Sequence, residues 1–105
     1  MDTEQPKVEE TQERKAFREK MEAQLREWNA KIDLLKAKAD KAEADAKIEY
    51  HQRISELRKK RDILQVRLAE FRGASGEAWK SLKEGVQKAG EDLKTALETA
   101  IEKFK

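Results

Sequence analysis

From Lys7 to Arg72 the chain has neither glycine nor proline, and apolar residues recur along this run in steps of three and four. The stripe reads Phe17, Met21, Leu25, Trp28, Ile32, Leu35, Ala39, Ala42, Ala46, Tyr50, Ile54, Leu57, Leu64, Leu68, Phe71. Such steps keep a single face of an α-helix apolar while the rest stays polar. The pattern predicts one long helix from about Val8 to Arg72, roughly 100 Å long at about 1.5 Å per residue. A helix of that length cannot bury its stripe against itself and needs a partner. The stripe thins to alanine in AKADKAEADA, residues 37–46, and the steps Ala42–Ala46–Tyr50–Ile54 are all fours, a stutter that unwinds a left-handed supercoil locally. Whether the helix runs straight through 37–50 is left open by this pattern. Beyond Ile54, Ile63 and Val66 lie off the main line and predict a wider buried face.

Gly73-Ala74-Ser75-Gly76 punctuates the pattern. Gly73 is the expected left-handed residue after the first helix, and Ser75 the expected N-cap of the second. The second helix, from about Gly76 to Phe104, carries the seam Trp79, Leu82, Val86, Ala89 or Gly90, Leu93, Leu97, Ile101 or Ala100, and Phe104. A four-residue connection predicts an antiparallel hairpin. Trp79 is expected against Phe71 and Leu68, and Phe104 near residues 48–50. Gly85 and Gly90 each cost about 1 kcal/mol inside a helix, which points to close packing against the first helix. The predicted fold is therefore all-α: a long helix (about 8–72), a turn (73–76) and a shorter antiparallel helix (about 76–104). A polar tail at residues 1–7 precedes this single domain.

In this register the second helix covers only the C-terminal part of the first. The hairpin core is then Tyr50, Ile54, Leu57, Leu64, Leu68, Phe71, Trp79, Leu82, Val86, Leu93, Leu97 and Phe104. The arm bearing Phe17, Met21, Leu25, Trp28, Ile32 and Leu35 is left uncovered. An exposed apolar stripe of that length predicts a homodimer or higher homo-oligomer through those six residues.

Composition sharpens this reading. Ala, Glu, Lys, Leu and Arg make up 63 of 105 residues, above the roughly 50% that marks coiled coils and long helices. Basic and acidic residues number 24 and 22, so charge does not argue for disorder or for a nucleic-acid footprint. Without cysteine there is no disulfide, zinc-thiolate site or cysteine nucleophile. The polar N-terminus predicts no secretory signal, and no apolar run is long enough to span a membrane, so the expected location is cytoplasmic.

Candidate chemistry is sparse. His51 is the only histidine, and Ile48 occupies the position three residues before it where a Glu-x-x-His metal motif needs its carboxylate. Arg58-Lys59-Lys60-Arg61 is the densest basic run, but four consecutive residues fan around a helix, and Glu56 and Asp62 flank them. The second helix is amphipathic, which keeps a membrane surface as the alternative partner, although its polar face mixes lysine with acid. Nucleic acid is a weaker third. No phosphate-binding glycine loop and no carboxylate pair in an apolar setting is present, so neither an enzyme nor a small-molecule substrate, cofactor or metal is expected.

The stretches LREWNAKIDLLKAKADKAEADAKIEYHQRISELRKKRD and FRGASGEAWKSLKEGVQKA, with their alanine-rich centre, Tyr50-His51 pair and GASGEAW turn, resemble a family of small bacterial coiled-coil stress-response proteins of cyanobacterial and proteobacterial type. The resemblance spans about Leu25–Leu97. It implies a non-enzymatic helical protein linked to stress and brings no catalytic or binding residues with it. Together, periodicity and resemblance predict a self-associating helical scaffold or protective protein.

Overall fold

A computed structural model describes residues 10–105, which form three helices: α1 (Gln12–Lys41), α2 (Ala44–Gly73) and α3 (Ala78–Lys103). The expected tail at residues 1–7, and the expected helix start at Val8, lie outside the described residues. The chain is all-α, as the periodicity predicts. The single long helix is not what forms: the run breaks after Lys41, and α1 folds back on α2.

The break uses two residues. Ala42 (φ −80°, ψ 159°) and Glu43 (φ −71°, ψ 162°) are extended, and the Ala42 N–H donates to the Ala39 carbonyl at 3.1 Å. Neither residue breaks helices by propensity. Burial is the reason for the turn. A straight helix would leave the α1 stripe in water, whereas folding back covers it within one chain. The alanines are where the turn fits, since small side chains let the two helices approach closely. Local charge agrees: Lys38 and Lys41 lie in the last turn of α1, and Asp45 in the first turn of α2, each beside the helix end whose dipole it complements.

The arm is therefore covered. Met21, Trp28, Ile32 and Leu35 are buried in the chain's own core, with Phe17 and Leu25 partly buried against it. The seam on the other two helices falls where the pattern puts it. Ile54, Leu57, Leu64, Leu68, Phe71, Trp79, Val86, Leu93 and Leu97 are buried, and Tyr50, Leu82 and Phe104 pack against them. Phe71 and Trp79 meet edge to face at 6.2 Å, and Tyr50 stacks on Phe104 at 3.9 Å, so the α2–α3 hairpin has the expected register. Ile63 and Val66, expected to widen the buried face, are instead 52% and 56% exposed. With α1 and α3 both seated along the main seam, their side of α2 is left to solvent.

Arg14 locks the end of the bundle opposite the break. Its side chain is 1% exposed, and its guanidinium donates to the Phe71 carbonyl at 3.1 Å and to the Ala74 carbonyl. These oxygens belong to the C-terminus of α2, where four carbonyls have no partner within the helix. The same guanidinium lies 5.7 Å from the Phe71 ring centroid. Arg14 thus shares the capping of α2 with Ala74, whose N–H also donates to the Phe71 carbonyl, at 3.3 Å. Gly73 is the last residue of α2, followed by extended Ala74, and the left-handed residue is Gly76 at φ 61°. Ser75 is not the N-cap of α3 either: that position is Glu77, which makes no side-chain cap, and the Ser75 backbone carbonyl accepts from Ala78 N–H at 3.2 Å. Thr11 does cap α1, accepting from Arg14 N–H at 3.1 Å.

Two substitutions separate the glycines. Gly85→Ala meets only the Arg67 Cδ at an ordinary 3.8 Å, so the helix gains about 0.5–1 kcal/mol and Tm rises. Gly76→Ala has open space but the wrong φ, so it costs about 1–2 kcal/mol and Tm falls. Calorimetry on both variants checks the contrast. Arg14→Met keeps the volume but takes the side-chain donors from the Ala74 carbonyl and from the Phe71 carbonyl, which retains Ala74 N–H, so urea unfolding is expected to show a loss of about 1–3 kcal/mol. Arg14→Lys recovers part of that loss, since an ammonium lacks the planar fork.

Candidate docking groove

In a three-helix bundle each helix contributes two flanks, and here the α1–α3 flank closes least. The two helices run parallel, joined at one end by Lys83, which reaches Glu13 at 3.5 Å and lies 5.3 Å from the Phe17 ring centroid. Between them runs a groove of about 550 Å³ whose apolar floor is Phe17, Met21, Trp28 and Gly90. It continues into a smaller hollow of about 170 Å³ between Trp28, Leu97 and Ile101. Trp28 lines both and is 6% exposed. From Phe17 to Lys31 the groove spans about four helical turns, roughly 20 Å, of which the apolar floor from Phe17 to Trp28 takes about three.

Gly90 is what lets α1 and α3 approach. A Cβ there would fall 2.9 Å from the Met21 Cε. Of the two glycines expected to pack on the first helix, Gly90 does so against α1. Gly85 faces Arg67, also within the expected first helix and now part of α2, but at a distance that does not demand glycine.

The rims are polar at helical spacing. Lys20, Gln24, Glu27 and Lys31 follow one another on α1; Glu84, Lys88, Glu91, Lys94 and Glu98 follow on α3. The α3 rim alternates in sign along its whole length, the arrangement that flanks helix–helix seams. Such a surface offers no field to a highly charged ligand. It offers an apolar floor and alternating charges to another helix.

Of the six residues expected to form an oligomer interface, Phe17, Met21 and Trp28 line this groove, whereas Ile32 and Leu35 are sealed in the core. Arg14 was missed as a structural residue, although its position carries a signal. Positions 14, 21, 28 and 35 are seven apart, so Arg14 extends the buried Met21–Trp28–Leu35 row by one heptad and places a cation on an apolar seam.

The other candidate residues do not assemble a site. His51 is exposed, and among the described residues no three His, Cys, Asp or Glu side chains converge as metal ligands. In the basic run, Arg58 and Lys59 face solvent, while Arg61 donates to Asn29 Oδ1 at 3.3 Å and to Asp62 Oδ1 at 3.0 Å. The apolar face of α3, on which the lipid alternative relies, is occupied by the core through Trp79, Val86, Leu93 and Leu97. No described helix is long and apolar enough to cross a membrane.

The perturbed carboxylates lie away from the groove. Arg18 grips Glu10 at 2.5 Å and Glu22 at 3.0 Å, and its hydrogen bond holds Glu10 below its ordinary value of 4.5. Lys36 donates to both oxygens of Asp40 beside the break, at 3.0 and 3.2 Å, and holds it below 3.8. A depressed carboxylate stabilises the fold at pH above its unfolded value, and that contribution is lost as pH falls through the folded value. Both pairs are exposed, so the effect is small and sensitive to salt.

No protein-family model matches this chain, and neither a curated protein nor a solved structure matches it.

Thermal melts followed by circular dichroism are expected to give a flat Tm down to about pH 5 and a fall below about pH 4. Glu10→Gln with Asp40→Asn flattens part of that fall, and about 0.5 M salt does the same.

Proposed function

We propose that this chain is a non-enzymatic helical scaffold that works by docking helices, with the α1–α3 groove as its binding surface. The observation that supports the reading is the groove itself: a channel about four turns long with an apolar floor, set between two rims whose polar residues recur at helical spacing. Its occupant is one amphipathic helix of balanced charge. An apolar stripe on that helix meets half-buried Phe17 and the edges of Met21 and Trp28 that the core leaves exposed, and its flanking acids and bases answer the alternating rim. Helix-in-groove recognition reads anchors at i, i+3, i+4 and i+7, and four turns accommodate that set.

This reading fits the folded chain better than a lipid surface does. A bilayer would have to draw α3 out of the core, exposing Leu93 and Leu97, which the bundle buries completely or nearly so. The resemblance to small coiled-coil stress-response proteins adds a setting, bacterial stress, and rests on the quoted stretches alone. Self-association remains part of the proposal, because the helices of a second copy have the required chemistry.

A synthetic four-turn amphipathic peptide, with leucines at three-four spacing and Glu and Lys alternating beside them, is the probe. Titrated into isotope-labelled protein, it is expected to shift the Trp28 indole and Gly90 amide resonances and to leave the amides of Ile63 and Val66, on the solvent side of α2, in place. Lys88→Glu together with Lys94→Glu makes the α3 rim wholly acidic and is expected to weaken binding roughly tenfold. Saturating peptide without shifts at Trp28 and Gly90 removes the groove as the docking site.

A further inference from the structure

The turn between α1 and α2 is built from residues that prefer to be helix. Ala42 and Glu43 both rank among good helix formers, and no glycine or proline occurs from Lys7 to Arg72. Neither helix end at the turn has a side-chain cap: Glu43 makes none for α2, and the end of α1 is closed only by the 3.1 Å bond from Ala42 N–H to the Ala39 carbonyl. Changing ψ at two residues from about 160° to helical values would join α1 and α2 and pair the backbone groups their ends leave open.

The seam also stays in phase through the turn. Leu35, Ala39, Ala42, Ala46, Tyr50, Ile54 and Leu57 are separated by threes and fours, so a straight helix would keep them on one face. Two helices that met only through a turn would have no need of that phase. Straightening alone is unfavourable, because it exposes Met21, Trp28, Ile32 and Leu35. A second copy removes the cost, since its own α2–α3 hairpin, vacated in the same way, offers the surface that α1 has left.

We infer that this chain exchanges α1 between two copies. In the exchanged dimer each copy has one continuous helix through residues 12–73, and each α1 lies on the partner's α2–α3 hairpin. The contacts of the closed chain are reproduced between chains, so the two forms differ chiefly at the turn. The two long helices cross at Ala39, Ala42 and Ala46, whose small side chains permit close approach. Protein concentration sets which form prevails. The inference is independent of the groove, which is present in both forms.

Glu43→Pro separates the two forms. Its φ of −71° suits proline, and Ala42 at ψ 159° suits the residue before one, so the closed turn accepts the change while a continuous helix does not. By light scattering after size exclusion, the native chain is expected to pass from its 12.2 kDa monomer to a dimer as concentration rises. Glu43→Pro is expected to remain monomeric to at least roughly hundredfold higher concentration, with Tm unchanged or higher. Because the chain has no cysteine, one copy can carry Asn29→Cys and the other Arg61→Cys, at positions whose side chains touch in the closed chain. After unfolding and refolding together, a short bis-maleimide is expected to link the two chains. A chain monomeric at every concentration overturns the exchange. So does a dimer that tolerates Glu43→Pro and gives no mixed cross-link. Loss of dimer on Lys88→Glu with Lys94→Glu, and not on Glu43→Pro, would assign the association to the groove instead.

Discussion

An apolar stripe along a helix must be covered, and this requirement shapes everything else in the chain. The stripe from Phe17 to Phe71 is longer than the 26-residue α3 can reach. Its N-terminal half must find a surface, and the nearest is its own C-terminal half. Propensity does not favour that outcome at any single residue, since Ala42 and Glu43 would each rather continue the helix. Removing Met21, Trp28, Ile32 and Leu35 from water outweighs the helical bonds given up at the turn, at about 1.5–3 kcal/mol for each large side chain. The bundle is a case of tertiary burial overriding local preference.

The two ends of the bundle are held differently. At one end Arg14 ties the start of α1 to the end of α2, and Phe17, Phe71 and Trp79 pack around that tie, the first two rings 5.1 Å apart. A buried guanidinium is expensive unless its donors are used, and helix-terminal carbonyls are partners that water would otherwise have to satisfy. At the other end, the α1–α2 turn carries alanines and the exposed Lys36–Asp40 pair. Geometric specificity is concentrated at the Arg14 end. The alanine end supplies compactness without a polar lock of that kind.

Most of the apolar core was legible in the sequence, Ile63 and Val66 being the positions expected in it that face solvent. The stripe from Met21 to Leu97 names the core that forms, and the aromatic pairings at both ends of the α2–α3 hairpin follow from the turn at 73–76. The fold-back was not legible, because helix propensity and apolar phase are the two signals read from sequence, and both run unbroken through Ala42. What marked it was subtler: a stripe too long for its partner, alanines at its thinnest point, and basic residues meeting acidic ones at 38–45. Arg14 was hidden for a related reason, since a cation at a seam position reads as an error in the pattern until a row of carbonyls is placed opposite it. Gly73 and Ser75 do not take the cap places expected of them: α2 ends on extended Ala74, with Arg14 adding donors from a distant part of the chain, and α3 starts after Glu77. The groove was visible only in part: Phe17, Met21 and Trp28 stood out as an interface, but its second wall came from the unforeseen parallel placement of α3.

That placement links the groove to the turn. α1 is seated on α2 along its whole seam, whereas it meets α3 through Gly90, Trp28 and the Lys83 contacts, leaving a hollow beside them. Packing density is where a helix is held, and a helix packed on one flank and open on the other has one surface resisting its departure. The energy that keeps α1 in place is therefore the same seam energy that any second α2–α3 hairpin would supply in full. Intramolecular closure is favoured over it only by effective concentration, which a two-residue connection makes high but finite. A proline or glycine at 42–43 would have biased that competition permanently. The chain instead places there an alanine and a glutamate, residues equally at home in a helix, so in the proposed exchange the turn itself does not oppose reaching out, and concentration decides between the two forms.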